Sequence, residues 1–149
     1  EMQSIGFNYR LTDLQAALGL SQLRRLDAFI ARREALVARY DTLLAESSIV
    51  LPAPLKGMRA AWHLYVIELG GPGPARAEVF RHMRSAGIGV AVHYIPVHLQ
   101  PYYRDLGFRA GDFPHAERYY QQALTLPLYP DLTESQQDKV VQVLNEALA

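Results

Sequence analysis

From Thr12 to about Glu46 the chain runs without a proline through Leu, Ala, Arg and Glu, and this single stretch excludes an all-β fold. Its start is marked by Thr12 and Gln15, whose spacing is that of a capping box, in which each side chain satisfies the other's free backbone donor. Asp13 adds negative charge at the positive end of the helix dipole. Leu26, Phe29, Ile30, Leu36, Val37, Tyr40, Leu43 and Leu44 recur at helical spacing and form one apolar stripe. The run is long for one uncapped helix, so two consecutive helices or one bent helix are predicted, with the break near Leu23 to Asp27. Gly19 costs a helix about 1 kcal/mol against alanine, which suggests that it marks close packing with another element.

Ser47 to Ala61 reads as a connection broken by Pro52, Pro54 and Gly57. His63 to Leu69, rich in β-branched and aromatic residues, reads as a strand. A Gly/Pro turn from Gly70 follows, and Pro74 suits the first turn of a helix over Ala75 to Ala86. That helix should bury Val79, Phe80 and Met83 and stop at Gly87 in the left-handed region. Ile88 to Tyr94 alternates large and small residues and predicts a second strand. Ile95 to Pro114 reads as an irregular, functional-length loop. A short helix over His115 to Ala123 and an extended piece over Leu124 to Leu128 come next. Thr133 and Gln136 form a second capping box, opening a last helix with Val140, Val141, Leu144 and Leu148 inward. The predicted class is α+β: a long N-terminal helical segment followed by a small sheet covered by helices.

Charge and composition narrow the function. Fifteen basic residues balance fifteen acidic ones, so no global field favours nucleic acid or an anionic membrane. Cysteine is absent, which removes disulfides, thiolate metal sites and cysteine nucleophiles. No apolar run approaches the ~20 residues of a membrane span, and a cytoplasmic protein is expected.

Two clusters could carry chemistry. Asn8, Tyr9 and Arg10 stand immediately before the first capped helix, which can hold a polar group in a fixed place. Val92 to Tyr103 holds two histidines and three tyrosines at a strand's end and the start of a long loop. His93 and His98 lack helical i,i+4 spacing and have no acidic neighbour in sequence, so no metal site is predicted. General acid/base work by His93 remains open, as does a plain role as a hydrogen-bonded histidine among packing tyrosines. The serines lie in no nucleophile motif. The two lysines, Lys56 in a proline-flanked loop and Lys139 on a polar helix face, do not suit Schiff-base chemistry. The Arg24-Arg25 and Arg32-Arg33 pairs read as solvated helix faces.

The segment GFNYRLTDLQAALGLSQL with RREALVARY after it resembles the DegT/DnrJ/EryC1/StrS family of nucleotide-sugar aminotransferases, which depend on pyridoxal phosphate (PLP). WHLYVI, GIGVAVHYIPVHLQPYYRDLGF with GDFPHAERYY, and LTLPLYPDLTESQQDKVV are similar to the same family in the same order. Within it, VHYIPVHLQPYY most resembles the pseudaminic-acid branch, which aminates C4 of a UDP-4-keto-6-deoxy-N-acetyl-hexosamine with glutamate as donor.

The resemblance implies a fold-type I aminotransferase. Residues 1–24 would match the end of the PLP domain and the start of the connecting helix, and residues 25–149 the small C-terminal domain. It implies that Asn8 reaches across a homodimer to the cofactor phosphate and contacts substrate. Val92, His93, Tyr94 and Ile95 would line the substrate side, and Tyr9 and Arg10 could serve either structure or ligand. The lysine that carries the cofactor is expected upstream, so no catalytic residue is expected here and these residues alone should be inactive. A PLP-dependent sugar dehydratase of the same family and a stand-alone dimerisation or binding domain are the alternatives. Separated from a large domain, the first helix should expose apolar surface, which favours self-association or a rearranged N-terminal segment.

Overall fold

The computed structural model describes residues 9–70 and 75–149 of the 149-residue chain. The N-terminal run forms two helices, α1 (Asp13–Leu23) and α2 (Leu26–Leu43), broken at Arg24 and Arg25 within the predicted interval. The capping box forms as read: the Gln15 N–H donates to Thr12 Oγ1 at 3.3 Å, and the Thr12 N–H donates to Gln15 Oε1 at 3.0 Å. None of α1 is buried, and Leu14 and Leu18 are 82% and 62% exposed. Gly19 meets no atom within 4 Å of where a Cβ would stand, so the close packing expected there is not found among the described residues.

The stripe on α2 buries only its later part. Leu36, Val37, Tyr40 and Leu44 enter the core, whereas Leu26 and Leu43 stay exposed. Arg24 and Arg25 lie on an exposed face, as expected, whereas Arg32 and Arg33 are half-buried and do not. Arg32 donates from Nε to the Pro130 carbonyl at 3.2 Å and from a terminal nitrogen to the Leu132 carbonyl at 2.7 Å, tying α2 to the segment before the last helix. Arg25 stacks over Phe29 at 4.5 Å.

The sheet has two strands, β1 (Tyr65–Glu68) and β2 (Ala123–Leu126), paired antiparallel with Tyr65 opposite Leu126. Single bridges extend it on both sides, Val50 to Glu68 beyond β1 and Ala91 to Thr125 beyond β2. The predicted strand over Ile88 to Tyr94 therefore does not form. A local turn takes the Val90 N–H to the Ile88 carbonyl at 3.0 Å, consuming a donor that a ladder would need. Ile88 and Val90 are still buried, but the alternation ends at the Ala91 bridge, and Tyr94 is exposed. The piece read as merely extended is instead the inner strand, buried at every position of β2.

Helices α3 (Arg76–Ser85), α5 (Pro114–Gln122) and α6 (Glu134–Leu148) complete the fold. Glu78 reaches back to the Ala75 N–H at 3.2 Å to cap α3, and Gly87 ends it at φ 78°. Pro74 lies outside the described residues. The second capping box forms at Thr133 and Gln136. The loop read as irregular holds a 3₁₀ turn, Val97–Leu99, and a short helix, α4 (Pro101–Asp105).

The core joins α2, α3, α6 and the sheet through Tyr40, Tyr65, Met83, Leu124 and Leu144. Tyr40 and Tyr65 stack at 5.0 Å, and each hydroxyl is satisfied, by the Pro127 carbonyl at 3.0 Å and by Asp41 at 2.7 Å. Burial pushes both phenols well above the ordinary tyrosine range, with the Asp41 bond adding to the effect at Tyr65. Gln137, fully buried, donates to the Leu36 carbonyl at 3.0 Å and fastens α6 to α2.

Candidate functional site

Asn8, assigned to cofactor and substrate by resemblance, lies outside the described residues. The remaining candidates follow one another as the chain leaves the Ala91 bridge. Val92 and His93 are half-buried, while Tyr94 and Ile95 are 71% and 46% exposed. Anchoring comes from β2: the Thr125 N–H donates to the Ala91 carbonyl at 2.8 Å, and the Ala91 N–H donates back at 3.3 Å. Two residues later, His93 Nδ1 lies 2.7 Å from the hydroxyl of Thr125, which is 5% exposed. The Tyr94 ring meets the His93 imidazole edge-on at 4.5 Å and 84°. A histidine held on two sides, with exposed residues after it, suits recognition of a ligand that arrives from outside.

The second histidine belongs to a different constellation. His98 is 7% exposed, and its Nε2 lies 2.8 Å from Glu117 on α5. Glu117 is absent from the sequence neighbourhood of the histidines, and only the fold brings it there. Its carboxylate can only accept, so Nε2 carries the proton. The same carboxylate accepts from the Gly111 N–H at 2.8 and 3.0 Å. Phe113 packs on the His98 ring at 4.8 Å. The hydrogen bond from His98, then that from Gly111, holds the Glu117 carboxyl below its ordinary value of 4.5.

Glu117 is thus a latch for the loop from Gly107 to Phe113. A carboxylate whose pKa is depressed on folding contributes stability that is full above its ordinary value and lost as pH falls through the depressed value. Protection of the Gly111 amide, measured against its intrinsic exchange rate at each pH, is therefore expected to be high near neutrality, to fall at acid pH, and to be low at all pH values in Glu117→Ala. Unchanged protection in that variant would remove the latch.

No group of three or more His, Asp or Glu among the described residues could hold a metal ion. Lys56 and Lys139 are both exposed. A lysine that forms a Schiff base needs desolvation or a cationic neighbour to lower its pKa. Neither Lys56 nor Lys139 is desolvated in this way. No helix among them is long and apolar enough to cross a membrane.

The fold is that of aminotransferases. PseC of Helicobacter pylori, an aminotransferase of pseudaminic acid biosynthesis, superposes with a TM-score of 0.87 at 26% identity, over 99% of this chain and 40% of that one. The PLP form of Spr1654 from Streptococcus pneumoniae superposes at 0.88 and 29% identity, over 100% of this chain and 40% of that one. Residues 1–145 match the DegT/DnrJ/EryC1/StrS aminotransferase family, and the chain belongs to that family. The spore coat polysaccharide biosynthesis protein SpsC of Bacillus subtilis strain 168 is 39% identical over 98% of this chain. The chain spans 39% of SpsC's length.

Proposed function

We propose that these residues form the C-terminal part of a PLP-dependent sugar-nucleotide aminotransferase. In this reading residues 1–24 close the PLP domain and residues 25–149 are the small domain. The enzyme moves an amino group from glutamate to C4 of a UDP-4-keto-6-deoxy-N-acetyl-hexosamine, in biosynthesis of the pseudaminic acid type. The observation that carries the reading is the fixed His93 segment, set within a family match over residues 1–145. The cofactor supplies the electron sink that lets an amino group pass from donor to keto sugar. The chain's own contribution is recognition: His93 and Tyr94 offer hydrogen-bonding groups to sugar or phosphate oxygens, and Val92 and Ile95 offer apolar contact. Asn8 is assigned to the cofactor phosphate of a homodimer partner, where an amide donor suits a phosphate oxygen.

The exposed lysines support a further part of the proposal, that these residues alone neither hold PLP nor turn over substrate. The test is to incubate the 149-residue chain with PLP, reduce it with borohydride and map adducts by mass spectrometry. Only sparse, non-stoichiometric labelling of Lys56 and Lys139 is expected. One stoichiometric adduct at either lysine, with transamination of a keto-sugar nucleotide, would overturn it.

A further inference from the structure

Thr125 is the one polar residue of the inner strand β2, and packing does not require a hydroxyl there. Its backbone is held from both sides, by Val66 across β1 and by Ala91 at the other edge. The hydroxyl position is therefore fixed to the sheet rather than to a loop. Among the described residues its side chain has one hydrogen-bond partner, His93 Nδ1 at 2.7 Å.

A buried hydroxyl that keeps its proton unshared loses free energy. If Nδ1 carried the proton, the hydroxyl would accept it and its own hydrogen would have no acceptor among the described residues. The arrangement that satisfies both groups has Thr125 donating and Nδ1 accepting. The imidazole proton then sits on Nε2. Nε2 has no partner among the described residues and is not sealed off from solvent. In this arrangement the ring turns an N–H donor outward, where it suits an acceptor oxygen and not a proton to be abstracted.

We propose that Thr125 is the positioning residue for His93, fixing the Nε2–H tautomer so that His93 donates to an oxygen of the sugar nucleotide. The inference rests on the aminotransferase reading for its substrate, but the tautomer stands on this chain's geometry. It also narrows the roles left open for His93: an imidazole protonated at Nε2 donates there and does not act as a base at that atom.

The test uses the full-length aminotransferase labelled with ¹⁵N at histidine. Two-bond proton–nitrogen correlation is expected to show His93 unprotonated at Nδ1 and protonated at Nε2. His93→Gln identifies the signal by its loss. Thr125→Val, which keeps the shape, should abolish the tautomer preference and raise KM for the keto-sugar nucleotide about tenfold, the equivalent of one hydrogen bond. KM for glutamate and kcat should change little, and Thr125→Ser should restore both tautomer and KM. A proton on Nδ1 in the unaltered protein would overturn the proposal, as would a KM rise confined to glutamate or a Thr125→Val enzyme with unchanged KM. If the unaltered enzyme turns over no keto-sugar nucleotide, the functional reading fails and the tautomer alone decides the role of Thr125.

Discussion

Tyr40→Ala is expected to remove a large share of the chain's stability at 25 °C and to lower its urea midpoint steeply. Truncating a fully buried aromatic costs about 3–5 kcal/mol, against a total stability of about 5–15 kcal/mol for a typical domain. Three losses add at this position. The Tyr65 ring loses its stacking partner at 5.0 Å, the Pro127 carbonyl loses its donor, and α2 loses a side chain that packs it onto the core. Tyr40→Phe isolates the second loss and is expected to cost about 1 kcal/mol. Urea denaturation followed by circular dichroism measures both. A Tyr40→Ala protein with a midpoint close to that of the unaltered chain would show that the core is built elsewhere. Stability is also expected to fall at alkaline pH. Phenols whose pKa is raised on folding stabilise the fold fully below the ordinary value of 10.0, and that contribution is lost as pH rises.

The second large effect concerns ligand recognition. In the full-length aminotransferase, His93→Ala is expected to lower kcat/KM for the sugar nucleotide about 10- to 100-fold. That is the range for losing one hydrogen bond to a charged or strongly polar oxygen. His93→Phe keeps the edge contact with Tyr94 but not the donor, and should lose as much. Equal kcat/KM in the phenylalanine variant and the unaltered enzyme would return His93 to the plain packing role. Circular dichroism should be unchanged in both variants, because His93 is half-buried and outside the main core.

What was legible in the sequence was what local chemistry decides. Both capping boxes depend on residues three apart, and both form. The helix break at Arg24 and Arg25, the strand at Tyr65–Glu68 and the stop at Gly87 likewise follow from residues close in sequence. Partnership between distant residues was not legible. Ile88 to Tyr94 alternates as well as a strand does, yet Leu124 and its neighbours take the place beside β1. Arg32 finds its carbonyls about a hundred positions away, and nothing near it in sequence announces them. The candidate site divides the same way. The segment from Val92 to Tyr103 stood out by composition and position, and the resemblance picked out Val92 to Ile95 within it, whereas Thr125 and Glu117, which hold the two histidines, came only from the fold. A lone threonine in an apolar run, LTLPL, was the one available hint, since a hydroxyl buried there must find a partner.

The same division applies to α1. Its sequence predicts a capped helix, and a capped helix forms, but its leucines point to solvent. A leucine-bearing helix with none of its residues buried favours association, in keeping with the homodimer proposed for the whole enzyme.

The most direct measurement is made on the full-length protein that carries these residues. It is supplied with PLP, glutamate and a UDP-4-keto-6-deoxy-N-acetyl-hexosamine, and the product sugar nucleotide is followed by mass spectrometry with ¹⁵N-labelled glutamate. The expected result is a 4-amino sugar nucleotide that carries the label, formed with one 2-oxoglutarate per turnover. A product that has lost water and carries no label, or no turnover at all, would contradict the account.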